Sequence, residues 1–256
     1  MKITQIRSAT LIVEYAGKKF LIDPMLAPKD TYPGFPGTLN NHLRNPTVEL
    51  VTPMADILAV DAVIVTHTHP DHWDQAAQIL IPKTLPVFVQ HQSDAEIVQS
   101  AGFYDVRILG ARSFFEGVTL TKTQGQHGSD AALAASGFLL GEVSGVIFKH
   151  PDEKIVYLAG DTVWNEYVKE NLAKHLPDVV ILNSGDAQFL RLGSIIMGKD
   201  DVLSVHQAAP NATLVATHME GVNHALLKRS ELRAFAVQHG MARCLYVPED
   251  GETVTV

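Results

Sequence analysis

Short apolar runs, each followed by polar or glycine-containing residues, recur along most of this chain. The runs Ala62–Val65, 179–182 and Thr213–Thr217 are rich in β-branched residues and too short for helices, so they predict buried strands. Apolar residues recur at helical spacing elsewhere, for example in 200–209. Strands that alternate with helices predict an α/β protein, in which functional groups are expected on the loops after strand ends.

The order of the predicted elements gives two β-rich halves, each ending in helices. Residues 1–23 predict an all-strand meander, and residues 24–53, rich in Pro, Gly and Asn, predict a long loop that is functional or mobile. Ser93 and Ser230 are the predicted N-caps of two helices. Further strands are predicted at 86–90, 115–121, 137–140, 143–149, 154–158 and 244–247, and helices at 74–80, 93–101, 164–176, 200–209 and 230–239. This order predicts two packed sheets with helices outside, in one domain over residues 1–256.

Composition and charge narrow the class of protein. Of the 256 residues 46% are hydrophobic, which suffices for a large core, and no apolar stretch is long enough to cross a bilayer. The N-terminus lacks the pattern of a secretory signal and Cys244 is the single cysteine, so we expect a cytoplasmic protein without membrane contact. The net charge of −8 disfavours nucleic acid as a partner, while a homo-oligomer stays open.

The most informative polar segment is the histidine loop, residues 66–72, which directly follows the strand Ala62–Val65. It contains His67, His69, Asp71 and His72, and imidazole and carboxylate are the ligands that borderline divalent ions prefer. The spacing of His67 and His69 lets both rings converge on one ion, and Asp71 and His72 can face a second. The alternative is a polar loop that carries surface histidines, but four ligand-type side chains in one short loop favour a metal site.

Three more ligand-type residues follow predicted strands. His127 lies between glutamine and glycine after a strand-like run, Asp161 follows Gly160 at the end of another, and His218 ends the run Thr213–Thr217. Taken singly, each histidine could be an ordinary loop residue, and Asp161 could be the N-cap of the next helix. Because all three follow strands in the same way, we expect them to lie near the histidine loop.

The order of these residues resembles that of the metallo-β-lactamase superfamily of metal-dependent hydrolases. The resemblance covers nearly the whole chain, from the strand end Leu21-Ile22-Asp23-Pro24 through the histidine loop and Gly160-Asp161-Thr162 to His218. It implies an α/β (α+β) fold, the four-layer αββα sandwich of two mixed β-sheets flanked by helices.

The resemblance also implies two divalent metal ions, with zinc expected first and manganese or iron as alternatives. In that family one ion takes the residues that match His67, His69 and His127, a second takes those that match Asp71, His72 and His218, and Asp161 bridges both. A water or hydroxide then lies between the ions, and Asp71 has the catalytic role of orienting it and passing a proton to the leaving group.

Two segments narrow the resemblance. Residues 196–201 and 218–224 resemble cytoplasmic members grouped with the L-ascorbate-6-phosphate lactonase. This lactonase-like branch implies hydrolysis of a small ester, a lactone or a phosphorylated sugar lactone, hence a small, anionic substrate. The alternatives are a metal-dependent phosphodiesterase acting on nucleotides or nucleic acid, and a non-hydrolytic protein that keeps the site for structure or sensing.

Several further residues are candidates for contacts with substrate or with the metal ligands. Asp23 is expected to hydrogen-bond a ligand histidine. Arg191 and Lys199 could bind a substrate phosphate or carboxylate, although solvated positions are the competing interpretation. Glu220, Asn223 and His224 follow His218 closely, and His224 competes with His218 as the last ligand.

Overall fold

Two seven-stranded sheets pack face to face in the computed structural model, which describes residues 1–256. The first sheet has the order β16-β1-β2-β3-β4-β5-β6, antiparallel from β16 to β3 and parallel from β3 to β6. Its strands are β1 Lys2–Arg7, β2 Thr10–Tyr15, β3 Lys18–Ile22, β4 Ala62–Val65, β5 Val87–Val89, β6 Val106–Ile108 and β16 Thr253–Thr255.

The second sheet has the order β15-β14-β11-β10-β9-β8-β7 and is also mixed. Its strands are β7 Ser113–Phe115, β8 Val118–Gln124, β9 Ser144–Lys149, β10 Val156–Leu158, β11 Val179–Asn183, β14 Thr213–Thr217 and β15 Leu245–Tyr246. A small hairpin, β12 Gln188–Phe189 with β13 Gly193–Ser194, stands apart from both sheets. Because β8 and β10 are each antiparallel to β9, and β11 and β14 are parallel to β10, the C-terminal ends of four strands share one edge.

Helices cover the outer faces of both sheets. On the first sheet they are α1 Met54–Ile57, α2 Gln75–Leu80 and α3 Gln92–Ser100, and on the second α5 Glu166–His175, α6 Lys199–Ala208 and α7 Arg229–Gln238. The remaining helix, α4 Asp130–Leu140, packs in a small separate apolar cluster with Ile195 and Ile196. One buried cluster of 21 apolar residues joins the inner faces of the two sheets, and two further clusters join each outer face to its helices. The predicted αββα sandwich of two mixed sheets is therefore confirmed. No helix combines the length and the apolar character that crossing a bilayer would require.

Four local predictions were wrong. The single strand predicted at 115–121 is divided by a turn at Glu116 and Gly117, between β7 and β8. Residues 137–140 were predicted as a strand but form the last turn of α4, which begins after the N-cap Ser129. The short apolar run Gly-Phe-Leu-Leu has no period of its own, so only the preceding residues could identify the helix. The N-cap of α3 is His91 rather than Ser93, with the His91 side chain accepting from Asp94 N–H, and α7 begins after Lys228 rather than at Ser230.

The long loop 24–53 is held in place by buried hydrogen bonds. The guanidinium of Arg7, fully buried, donates to the carbonyl oxygens of Met25, Ala27 and Val48. Asn223 accepts from the Phe35 N–H and donates to the Leu39 carbonyl. The backbone carbonyls that a loop cannot pair internally thus find donors in β1 and in the segment after β14.

Replacement of Arg7 tests this anchoring. Arg7→Met leaves three buried carbonyls without their donor, so we expect the free energy of unfolding to fall by about 3 kcal/mol or more, measured by urea denaturation. Limited proteolysis should then cut first within 24–53.

The matched control is Arg44→Met, because Arg44 donates to two carbonyls of the same loop, those of Asp30 and Thr31, but from an exposed position. Water replaces these bonds, so the change should stay within about 0.5 kcal/mol. Equal losses in the two variants would contradict the anchoring role of Arg7.

Candidate metal centre

The seven predicted ligand residues converge at one edge of the sandwich. The histidine loop follows β4 in the first sheet, whereas His127, Asp161 and His218 follow β8, β10 and β14 in the second. The strand ends therefore meet from both sheets. We call the resulting set the His/Asp cluster; it consists of His67, His69, Asp71, His72, His127, Asp161 and His218.

The nitrogen and oxygen atoms of the cluster point inward at short range. Nε2 of His67 lies 3.0 Å from Nδ1 of His69, and Nε2 of His72 lies 3.1 Å from Nε2 of His218. The Oδ2 atom of Asp161 lies between these pairs, 3.1 Å from His72 Nε2 and 3.9 Å from His67 Nε2. It is also 3.7 Å from Nε2 of His127.

These spacings fit metal ions. Three triads have ligand atoms within 4.8 Å of one another: His67–His69–His127, His67–His72–Asp161 and Asp71–His72–His218. A tetrahedral zinc site with bonds near 2.05 Å has ligand atoms about 3.3 Å apart, which is close to the observed values. Two facing imidazole nitrogens attract each other only when one of them carries the proton, whereas a cation between them binds both lone pairs.

Each histidine of the cluster has a second contact on its outer nitrogen. The partners are Thr66 Oγ1 for His67 (3.2 Å), the Leu139 carbonyl for His69 (3.1 Å), the Asp23 carboxylate for His72 (3.0 Å), the Ile195 carbonyl for His127 (2.8 Å) and Ser8 Oγ for His218 (3.2 Å). The contact of His72 is an ion pair rather than an aligned hydrogen bond. Such contacts turn the inner nitrogen towards a metal and fix the ring.

Asn183 is a member of the site that was not among the predicted site residues, although its segment was expected at the same edge of the sheet. It ends β11, is buried, and donates from Nδ2 to Oδ1 of Asp161 at 2.6 Å, so it holds the central carboxylate by the oxygen that does not face the histidines. The signal was its position after a strand of the same sheet, but asparagine is so common at strand ends that position alone could not single it out.

Charge is concentrated in this buried site. Burial alone would raise the pKa of Asp161, but the neighbouring His72 and His218 outweigh it and hold that pKa well below its usual value. Burial likewise lowers the pKa of His218, yet Asp161 and Asp71 raise it to about 9. Burial and the nearby rings keep the pKa of His67 well below its usual value. Burial also lowers the pKa of His72, but Asp161, Asp23 and Asp71 outweigh it and raise that pKa well above its usual value, so the carboxylates of this site favour positive charge beside them. Bound cations would supply such charge.

The other candidate residues separate into those at the site and those away from it. Asp23 accepts from the Thr66 N–H and hydroxyl and lies 3.0 Å from Nδ1 of His72, so it is next to a predicted ligand, but the expected hydrogen bond to that ring is not aligned. Asn223 anchors loop 24–53 instead of reaching the cluster, and Glu220 pairs with Arg229 at 2.8 Å. His224 belongs to none of the three triads, so the geometry favours His218 as the last ligand.

Neither cationic candidate reaches the cluster. Arg191 is exposed and has a left-handed backbone conformation (φ 66°), and Lys199 lines a separate acidic depression with Asp200 and Asp201. The prediction that one of them binds a substrate anion at the metal site finds no support in their positions.

A cavity of about 230 Å³ opens directly over the His/Asp cluster. Its walls come from loop 24–53, α4 and the β12–β13 hairpin, and its floor from the cluster. The lining residues are Phe35, Pro36, Thr38, His69, Pro70, Asp71, His127, Leu139, Leu140, Asp161, Phe189, Ile195 and His224. The walls are mostly apolar, and no lysine or arginine is among them.

Comparison with known proteins agrees with this geometry. The "Beta-lactamase superfamily domain" matches residues 18–219. The UPF0173 protein YddR of Bacillus subtilis (strain 168) is 50% identical over 256 residues, all of both chains, and a UPF0173 metal-dependent hydrolase of Bacillus cereus (strain G9842) is 27% identical over 85% of each chain. The crystal structure of an isothiocyanate hydrolase from Delia radicum gut bacteria superposes with a TM-score of 0.97 at 50% identity, covering 100% of this chain and 99% of that one.

Metal binding to the His/Asp cluster should stabilise the folded protein against heat. Adding Zn²⁺ or Mn²⁺ to chelator-treated protein should raise Tm by roughly 5–10 °C, because an ion that binds only the folded state stabilises it by mass action. Asp161→Asn should lose most of this rise, since the central carboxylate contributes to both halves of the cluster. Differential scanning fluorimetry over a metal titration measures the effect.

Asp200→Asn serves as the control, because Asp200 is an exposed carboxylate outside the cluster. Its variant should keep the full rise in Tm. A rise of equal size in Asp161→Asn would mean that metal binds elsewhere.

Proposed function

The chain belongs to the β-lactamase superfamily and, within it, to the UPF0173 metal-dependent hydrolases, and from this we propose that it hydrolyses a small uncharged electrophile, most concretely an organic isothiocyanate. One observation carries the proposal: the cavity over the His/Asp cluster is small, mostly apolar and free of cationic side chains. The name of the isothiocyanate hydrolase that shares 50% of its residues with this chain supports the same substrate class.

The side chains of the cavity walls favour an uncharged substrate over the anionic ones that the sequence suggested. The walls offer no lysine or arginine, so a phosphorylated lactone or a nucleotide would have only the cations of the cluster to pair with its phosphate. Phe35, Leu139, Leu140, Phe189 and Ile195 instead provide apolar surface for a hydrocarbon substituent. A small uncharged ester or lactone is the second candidate, because the same walls accept it and its carbonyl carbon is attacked in the same way.

We further propose two cations in the cluster, zinc first, with manganese or iron as alternatives. When bound, they would lower the pKa of a water towards about 7 and polarise the electrophile. One cation would be held by His67, His69 and His127, and the other by Asp71, His72 and His218. Asp161 would be a ligand of both. Contacts on the outer nitrogens of the rings, such as those with Asp23 and the Ile195 carbonyl, keep the inner nitrogens aligned to bind the cations.

The residues of the chain then have distinct tasks in hydrolysis. Asp71, almost buried and facing the cavity, orients the attacking water and accepts its proton. The water oxygen bonds to the central carbon of R–N=C=S, the electron pair of the C–N π bond moves to nitrogen, and nitrogen takes up a proton to give a thiocarbamate. Cleavage of the C–N bond, with a second proton to nitrogen, completes RNCS + H₂O → RNH₂ + COS. The apolar walls exclude bulk water around the substituent.

A substrate panel tests the proposal. Metal-loaded protein is incubated with benzyl isothiocyanate, an uncharged lactone and a phosphorylated sugar lactone, and amine, carbonyl sulfide and hydroxy acid are quantified. We expect turnover of the isothiocyanate, removal of that activity by a chelator, and its return with Zn²⁺ or Mn²⁺. Efficient turnover of the phosphorylated lactone alone would contradict the proposed substrate class.

Asp71→Ala tests the assigned role of the carboxylate. We expect kcat to fall by about 10²–10⁴-fold, as for removal of a group that handles the proton, while the fold persists because the change lies on a loop. Asp152→Ala, at an exposed turn, is the control and should keep full activity. Full turnover in Asp71→Ala would mean that the reaction centre lies elsewhere.

A further inference from the structure

His224 is the one histidine of the cavity wall that stands outside the His/Asp cluster. It lines the cavity, is only 6% exposed, and belongs to none of the three metal-binding triads. The backbone fixes it there, because its carbonyl accepts from the Gln188 N–H and the next residue, Ala225, bridges to Ala187. The imidazole is therefore placed over the site without being part of it.

The imidazole packs against an aromatic ring and lacks hydrogen-bond partners. It meets Phe35 edge to face, with ring centroids 5.1 Å apart and planes at 79°. Its Nδ1 atom is sealed from solvent and has no partner. Nε2 has no protein partner either but is not sealed, and because His224 is otherwise buried and lines the cavity, this nitrogen is assigned to the cavity side. A buried polar ring without partners is costly, so its presence in an apolar wall calls for a ligand.

The protonation state of His224 follows from the same surroundings. Burial lowers its pKa to about 4, so the ring is neutral at neutral pH and carries a single N–H. An unpaired buried N–H is less tolerable than an unpaired acceptor, which puts the proton on Nε2 rather than on the sealed Nδ1. The cavity wall thus presents one hydrogen-bond donor among apolar side chains.

We propose that His224 is a catalytic residue whose Nε2–H donates a hydrogen bond to the substrate atom on which negative charge develops. This inference rests on the proposed function, and for an isothiocyanate that atom is the nitrogen that receives the electron pair of the C–N π bond. The hydrogen bond stabilises this charge without transferring the proton of His224. Donors placed in a water-poor site act strongly in this way.

Two substitutions of His224 separate its role as a hydrogen-bond donor from the packing of its ring. His224→Gln keeps an N–H donor but loses the ring, whereas His224→Phe keeps a ring against Phe35 but loses the donor. We expect His224→Phe to lower kcat by about 10²-fold with KM changed by only a few fold, and His224→Gln to recover much of kcat. Metal content by elemental analysis should equal that of the wild type in both. A purely structural His224 would give the opposite order, with Phe at least as active as Gln.

His239 offers the matched control. It also packs on a phenylalanine, Phe235, with centroids 4.1 Å apart, but it is exposed and far from the cavity lining. The variants His239→Phe and His239→Gln should leave kcat and KM unchanged, which shows that the effects at position 224 do not come from the chemistry of replacement itself.

The effect of substrate substituents on kcat gives a second test, because a role of His224 in packing alone would not change it. In a series of para-substituted phenyl isothiocyanates, the substituent on the ring also stabilises the negative charge on nitrogen. When the His224 N–H donor is lost, the substituent has to stabilise this charge alone. We therefore expect a steeper dependence of log kcat on electron withdrawal in His224→Phe than in the wild type. An unchanged slope would overturn the proposal.

The tautomer tests the inference independently of any substrate. In long-range ¹H–¹⁵N spectra of ¹⁵N-histidine-labelled protein, the signal missing from His224→Gln identifies His224. We expect a neutral ring protonated on Nε2; protonation on Nδ1 or on both nitrogens would overturn the proposal. If the wild type hydrolyses an uncharged lactone but no isothiocyanate, the proposed substrate class fails, while the same pair of variants on the lactone still decides the role of His224.

Discussion

The structure depends on the concentration of five imidazoles and two carboxylates in one buried volume at the edge of two sheets. Six of these seven side chains are buried, so bulk water screens their charges little and the carboxylates are stabilised by positive charge beside them. Asp161 lies at the centre, with Oδ2 facing the rings and Oδ1 held by Asn183. The strands β4, β10 and β14, which precede most of these residues, are buried and paired on both sides, which holds the ligand atoms within 4.8 Å of one another in each triad.

Much of the fold and of the cluster could be predicted from the sequence, because both depend on local patterns. Buried strands are short β-branched runs, and their C-terminal ends share an edge in a sheet of this kind, so ligand-type residues after strands were expected to meet. Helix α4 was not predicted. One reason is that its last turn, which includes Phe138, is an apolar run without a helical period of its own. The predicted N-cap of α3 was also wrong, because His91, not the nearby serine, accepts the hydrogen bond from the first turn of that helix.

Contacts between distant segments that do not follow from strand ends could not be predicted. The carbonyls of Leu139 and Ile195, which orient His69 and His127, are backbone atoms and leave no trace in residue identity. The cavity wall brings together Phe35, Leu139 and Phe189, which are far apart in the chain and carry no shared motif. The expectation of an anionic substrate came from the resemblance and from Arg191 and Lys199 as possible anion-binding residues, whereas the apolar wall of the cavity forms only in the folded chain.

Helix α4 has two tasks at once, since Leu139 contributes its side chain to the cavity and its carbonyl to His69. A backbone atom cannot be removed by changing the side chain that it belongs to. Divergence of this protein towards other substrates can therefore exchange the side chains of α4 freely, as long as the path of the main chain at Leu139 is preserved. Insertions or deletions in that helix carry a separate penalty, because they displace a histidine of the metal centre together with the wall.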